Sequence, residues 1–347
     1  MTESEHDNAA AVFAPLIFDV LSFRVFATAV RLGIPGAVGD GSRSTADLAA
    51  GTQTDPAALH RLLRALAALG VVRRDGADTW SLTGAGGQLR DGAPGGIADL
   101  VRFYGDPLTW RAFGAMEETV RTGGTAFEQV SGDPFFAYFE RDVAYARAYN
   151  GAMRAGTHML LPLLQHSYDW GAVDRLVDVG GGDGTTLTAL AAAHPKLRGV
   201  VFDTAEAVRG VPELARAAGV ADRCTGEAGD FLSTVPAGAD AYLLKNVLHE
   251  WDDASCTRIL RNCRESMADG GRVLVVAALA PEWDDDGNST ALMYAAISDI
   301  QLLCLSGKER TENEYAALFA AAGLRLEKTV PLPYLPNYHV IEATAAR

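Results

Sequence analysis

The sequence predicts an α/β chain in two unlike parts: a mainly helical N-terminal domain, and a C-terminal domain built on a parallel sheet with helices on both faces. Three observations predict it. From Asp174 onward, short β-branched runs alternate with helical stretches. One of those runs passes directly into a glycine turn and a helix, LVDVGGGDGTTLTALAAAHP. The first 95 residues instead read as helices followed by one short hairpin. At 347 residues the chain also exceeds what one core usually serves. The boundaries predicted are 1–95 for the N-terminal domain, 96–165 for a helical linking segment, and 166–347 for the sheet domain.

Residues 12–33, VFAPLIFDVLSFRVFATAVRLG, are apolar on nearly every helical face. A helix of that kind must be covered on all sides, and a second copy of the chain is the expected cover. Two short helices follow, the first capped by Ser44 or Thr45, the second opened by Asp55 with Pro56 at its first position. VVRRDGADTWSLT then reads as a hairpin turning at Asp75-Gly76, which completes a winged-helix outline. That outline admits a DNA-binding regulator, but His60, Arg61 and Arg64 are the only positive groups on the helix that would read bases. The net charge of −14 repels polyanions and argues against nucleic acid or an anionic membrane as partner.

Residues 95–170 are rich in aromatics, among them Phe103, Trp110, Phe135, Tyr145 and Tyr149. Most are expected in the core, with a few left to line a pocket for a flat aromatic molecule. Strands are predicted at 175–180, 199–203, 240–246 and 272–279, a third strand of the series leads into AGDFL (228–232), and a final pair falls near 325–330 and 338–342. The four cysteines form no CxxC pair and read as reduced thiols. The acidic start MTESEHDN is unlike a secretory leader, and no apolar run looks long enough to span a bilayer, so a cytoplasmic location is expected. The run Asp284-Asp285-Asp286 reads as a solvated loop rather than a metal site.

Gly180, Gly182 and Gly184 satisfy GxGxG at a strand end, where the chain must turn sharply and a ligand can approach the backbone. Asp178 precedes the turn, and Asp203 ends the next strand, where a carboxylate can accept hydrogen bonds from ribose hydroxyls. Nicotinamide, flavin and S-adenosylmethionine all suit that pattern. Asp183 inside the loop discriminates among them, because its charge repels a pyrophosphate while a phosphate-free sulfonium cofactor tolerates it. His249 follows the carboxyl end of a predicted strand, the place where open α/β sheets put their ligands.

In order along the chain, LVDVGGGDG, VVFD, AGDF, LLKNVLHEWDD, DGGRVLVV and SGKERTENEYAALFAAAGL resemble the class I S-adenosylmethionine-dependent O-methyltransferases of plant phenylpropanoid and bacterial polyketide metabolism. The resemblance covers nearly the whole chain. It implies a Rossmann-like catalytic domain behind a winged-helix dimerisation domain, S-adenosylmethionine as cofactor, and a homodimer acting on an aromatic secondary metabolite. Carried over residue by residue, it makes Asp178, Gly180, Gly182 and Asp203 cofactor-binding, Asp230 and Phe231 neighbours of the adenine, Lys245 a polar cofactor contact, and Trp251 a wall beside the adenine. His249 becomes the general base and Glu309 the carboxylate that orients it. Asn150 and Met153 fall on the acceptor side, and Phe103, Trp110 and Asp299 are counted with them. One position departs from the pattern: relatives commonly carry a glutamate where this chain has Ala277. That departure keeps open a relative that binds the cofactor without methylating, such as a hydroxylase, decarboxylase or pericyclase.

Overall fold

A computed structural model describes residues 3–280, 282, 290–335 and 337–346. Asp284-Asp285-Asp286 lies outside the described residues. The chain divides into two compact units, residues 1–114 with 136–156, and residues 115–135 with 157–347. The segment 96–165 therefore contributes to both.

In the first unit a long helix, Glu3–Arg31, leads into the helices Thr45–Thr52 and Pro56–Ala68. Ser44 caps the former through the Asp47 amide at 3.0 Å, and Asp55 caps the latter through the Ala58 amide at 2.8 Å. Each cap satisfies an otherwise orphaned helix donor, a contribution of about 1 kcal/mol. Three short strands, β1 (Arg43–Ser44), β2 (Val72–Arg74) and β3 (Thr79–Leu82), pair in the order β1-β3-β2. The hairpin turn is wider than Asp75-Gly76: Arg74 pairs with Trp80, the Asp75 amide bonds to Thr79 O at 2.9 Å, and residues 75–78 form the loop. Leu59, Leu63, Leu66 and Trp80 fill the core under the helices.

The first helix is half core and half surface. Ala27, Ala29 and Val30 are buried, whereas Phe13, Leu16, Ile17, Phe18, Val20 and Leu21 are 49–66% exposed. The 19 residues Phe13–Arg31 are long and apolar enough to cross a bilayer, which corrects the reading that no such run exists. The same helix carries Asp19 and Arg24, and Arg24 is committed to the fold: its Nη1 donates to Gly105 O at 3.1 Å, and its guanidinium lies 4.9 Å over the Trp110 ring.

The second unit holds a seven-stranded sheet. Its strands are β4 (Arg175–Val179), β5 (Arg198–Asp203), β6 (Cys224–Ala228), β7 (Ala241–Lys245), β8 (Arg272–Ala278), β9 (Leu324–Pro331) and β10 (Tyr338–Ala345), in the order β6-β5-β4-β7-β8-β10-β9. β4 to β8 are parallel, and β10 joins antiparallel to both β8 and β9. Both faces are covered, so the central strands read as continuous apolar runs. Tyr242, Leu244, Val275 and Ile341 pack with Cys256, Ile259 and Leu260 of helix Asp253–Ser266 and with Tyr315 and Phe319 of helix Glu312–Ala321. Leu176, Leu243, Leu274 and Val340 face Leu187 and Leu190 of helix Thr185–Ala193, together with Leu164 and Trp170. Strand order reverses between β4 and β7, and ligands of such sheets bind outside the carboxyl ends at that switch point.

Candidate active site

The carboxyl end of β4 runs into the loop Gly180–Gly184, in which Gly180, Gly182 and Gly184 have φ of 68°, 59° and 83°. Only glycine takes that left-handed region at little cost. Gly180 has a second constraint: a Cβ there would lie 2.7 Å from Val247 Cγ2 and 3.7 Å from Phe231 Cε1. The loop thus meets the ends of β6 and β7, and the Phe231 and Trp251 rings meet edge to face at 5.7 Å. Asp203, ending β5, accepts from the Gly182 amide at 2.9 Å, which fixes its carboxylate against the loop.

Asp178 is 1% exposed, and among the described residues neither of its oxygens has a well-formed hydrogen bond. Burial pushes its pKa up to about 7, assisted by Asp203 and opposed by Lys245. Burial likewise pulls the Lys245 ammonium down, resisted by Asp178, Asp183 and Glu250, while its Nζ donates to Thr157 Oγ1 at 3.0 Å. Asp183 accepts from the Thr185 amide at 3.1 Å and its hydroxyl at 2.7 Å. A carboxylate therefore already occupies the helix start where a dinucleotide's phosphate would sit. S-adenosylmethionine fits these groups: the orphaned Asp178 oxygens suit a cationic amino group, Asp203 suits ribose hydroxyls, and Phe231 with Trp251 offers apolar faces for adenine. Asp230 is exposed and caps its own turn, accepting from the Leu232 amide at 2.9 Å and the Ser233 hydroxyl at 2.7 Å.

Beyond β7 the chain makes a short 3-10 turn, Leu248–Glu250, that carries His249. Its Nδ1 lies 3.6 Å from Glu309 Oε2, with the two side chains 12% and 2% exposed. Burial lowers the imidazole pKa, but Glu309, with help from Glu250, outweighs it, and the net direction is upward. Ser298 donates to the other Glu309 oxygen at 2.9 Å. Asp299, expected on the acceptor side, accepts the Glu309 backbone amide through Oδ1 at 2.8 Å and so helps hold Glu309 in place. Burial raises the Asp299 pKa.

The remaining acceptor candidates belong to the first unit. Asn150 is exposed and Met153 half-buried on helix Val143–Ser167. Phe103 is 1% exposed and ringed by Tyr104, Tyr145 and Tyr149 at 5.1–5.7 Å, so it serves the core rather than facing an acceptor. Trp110 packs beneath Arg24 and beside Phe23. Sequence reasoning missed Ser298, Thr157, Asn262, whose amide holds Phe231 O at 2.9 Å, and Arg310, which is 0% exposed. Of these only Arg310 carried a signal, lying inside the GKERT segment.

The chain belongs to the O-methyltransferase family: residues 113–325 match the O-methyltransferase domain and residues 15–89 the O-methyltransferase dimerisation domain. It is an S-adenosylmethionine-dependent enzyme of that family. Among its relatives, the O-demethylpuromycin-O-methyltransferase of Streptomyces alboniger is 37% identical over 94% of this chain and 87% of its own. The structure of the mitomycin 7-O-methyltransferase MmcR superposes with a TM-score of 0.86 at 32% identity, covering 99% of this chain and 100% of that one. The O-methyltransferase NcsB1 of neocarzinostatin biosynthesis, solved with S-adenosylhomocysteine and 1,4-dihydroxy-2-naphthoic acid, gives 0.74 at 32% identity over 92% and 95% of the chains. The family is not uniform in chemistry: the aclacinomycin 10-hydroxylase RdmB of Streptomyces purpurascens is 33% identical over 88% of this chain and 82% of its own.

Proposed function

We propose that this chain methylates a phenolic hydroxyl on an aromatic, polyketide-type secondary metabolite, working as a homodimer in the cytoplasm, with His249 as general base. The observation that carries the reading is the buried His249–Glu309 pair at the carboxyl end of β7, beside the glycine loop. S-adenosylmethionine, when bound, supplies a methyl group on a sulfonium, which is a good leaving group. The chain's work is then alignment and proton removal. Alignment can contribute about 7–11 kcal/mol, and a general base roughly 10²–10⁴-fold in rate. Glu309 faces Nδ1 at 3.6 Å, so Nε2 is the nitrogen that would take the phenol proton, with the carboxylate charge stabilising the imidazolium that results. Relatives whose names specify puromycin, mitomycin and naphthoate acceptors support an aromatic substrate. The exposed apolar face of Glu3–Arg31 within the dimerisation segment supports a second copy as its cover, and four free, buried cysteines suit a reducing compartment.

Ala277 favours a second reading, in which the cofactor is bound and not consumed. Incubation with S-adenosylmethionine and a panel of polycyclic phenols decides between them. S-adenosylhomocysteine release with a methyl mass gain on oxygen, lost in His249→Ala while cofactor binding persists, is the expected result. Near-normal turnover by that variant removes His249 as the base.

A further inference from the structure

Glu309 and Arg310 are consecutive, yet they address the His249 turn in different ways: one meets the imidazole and the other the backbone. Arg310 Nη1 donates to Leu248 O at 2.7 Å, and Nη2 donates to Trp251 O at 2.7 Å. Nε and Nη2 also donate to Asp253 Oδ1 at 3.0 and 2.7 Å, which orients the guanidinium plane. The Lys308 amide donates to His249 O at 2.9 Å. Gly307, at φ +93°, passes so close that a Cβ would lie 2.0 Å from that same oxygen. One four-residue segment thus holds the carbonyls of Leu248, His249 and Trp251 and also carries the carboxylate that faces the ring.

Resting on the reading of His249 as base, we propose that Arg310 is a positioning residue: by fixing the carbonyls on either side of His249 it sets the approach of the imidazole to Glu309. The planar guanidinium fork is what the task requires, since one ammonium cannot reach two backbone carbonyls and a carboxylate in a fixed plane. Among the described residues, the charged groups that act most strongly on the imidazole are Glu309 from this segment, Glu250 from its own turn and Lys245 from β7. Asp253 meets Arg310 Nη2 at 2.7 Å and Lys308 Nζ at 3.6 Å, so it bears on the segment that holds the His249 turn.

The test is Arg310→Lys in the full-length chain, with kcat, acceptor KM, S-adenosylmethionine Kd and the pH dependence of kcat measured. The expected result is a loss of about 10²-fold in kcat, the scale of a small misplacement at a reacting group. Cofactor Kd should stay unchanged, and the acidic limb of the profile should move to lower pH as the ring loses Glu309. In a His249→Ala background the same substitution should cost nothing further. An unmoved limb, or the same loss in both backgrounds, makes Arg310 a mere support of the fold and overturns the inference. Near-normal turnover in His249→Ala alone instead overturns the base reading on which it rests. Should Arg310→Lys fail to fold, Asp253→Asn, at a side chain 62% exposed, carries the test: a smaller loss in kcat that disappears in the His249→Ala background supports positioning, and an equal loss in both backgrounds overturns it.

Discussion

Replacing Glu309 by glutamine keeps the side chain's shape and an oxygen for Ser298, and removes only the charge that faces His249. The two groups lie 3.6 Å apart and are nearly enclosed. Unit charges about 4 Å apart interact by about 4 kcal/mol at an effective dielectric constant of about 20, which sets an upper limit. At that separation neither His249 Nδ1 nor Glu309 Oε2 has a hydrogen-bond partner among the described residues, and a charge-assisted hydrogen bond, worth about 1.5–3 kcal/mol net, forms only if the pair closes as the imidazolium develops. If the imidazolium forms in the transition state, Glu309→Gln therefore lowers kcat about ten- to a hundredfold. The sign of the pH effect follows from the same pair. The imidazole must be neutral to accept a proton, and its pKa stands above the usual 6.5, so the acidic limb of wild-type kcat lies above that value. Without the carboxylate, burial dominates and the limb moves down. Stability obeys the same linkage: the contribution of a raised histidine is fully present below the unfolded pKa and is lost as pH rises through the folded one, and the variant lacks that dependence. Quantifying S-adenosylhomocysteine release from about pH 5 to 9, with thermal melts alongside, reads both effects. An unchanged kcat with an unmoved limb refutes the assignment of Glu309.

Gly180→Ala forces a left-handed alanine, at about 1–2 kcal/mol, against Val247, and should weaken S-adenosylmethionine binding roughly tenfold or more by calorimetry; wild-type affinity would mean the loop does not meet the ligand. Burial holds Asp178 at about 7, so the free protein keeps that proton below neutrality, and its stability falls as pH rises toward 7 from the unfolded carboxylate value. A cationic amino group placed there favours the ionised form, so cofactor affinity should rise as pH passes about 7 and binding should release a proton. Calorimetry in buffers of different ionisation enthalpy measures the release, and Asp178→Asn should abolish it; an unchanged proton count in that variant removes Asp178 from the amino-group site. Ile17→Asp combined with Phe18→Asp, at positions 63% and 66% exposed, should convert the proposed homodimer to monomer in sedimentation velocity. A mass that does not change shows that the pair does not seal the interface.

The legible part of the fold is the part in which local chemistry decides structure. Ser44, Asp55 and Pro56 open their helices because caps act within three residues. β4, β5, β7 and β8 announce themselves because burial on both faces demands continuous apolar runs. β6 reads CTGEA and is exposed over most of its length, so only its pairing with β5 makes it a strand. The same limit applies to the site. His249, Glu309 and the glycine loop follow from motif and strand end, but Ser298, Thr157 and Asn262 act across 11, 88 and 31 residues of sequence, and no local pattern encodes them. Phe103 shows the converse error, and Asp299 shows how one side chain can answer to two roles. An aromatic on helical spacing is as apt for the core as for a pocket, and a carboxylate near a catalytic loop is as apt to hold the loop as to touch a substrate.

Ala277 acquires a physical meaning from this geometry. It is 2% exposed, packed in the apolar cluster with Val275, Leu279, Tyr315 and Ile341, and stands opposite His339 in the β8–β10 ladder. A methyl group there needs no partner, whereas a carboxylate in the same surroundings would have to be paired or protonated. Among the described residues Glu309 is the carboxylate that acts most strongly on His249, with Glu250 behind it, and a further carboxylate beside the imidazole would raise its pKa more. With fewer carboxylates acting on it, a histidine is neutral over a wider range and a weaker proton acceptor. On the proposed reading, aligning the acceptor with the sulfonium methyl contributes more than the base does, so the larger share of the catalysis would survive without a second carboxylate. What remains depends on how accurately one carboxylate meets one imidazole, and that falls to the segment from Gly307 to Arg310.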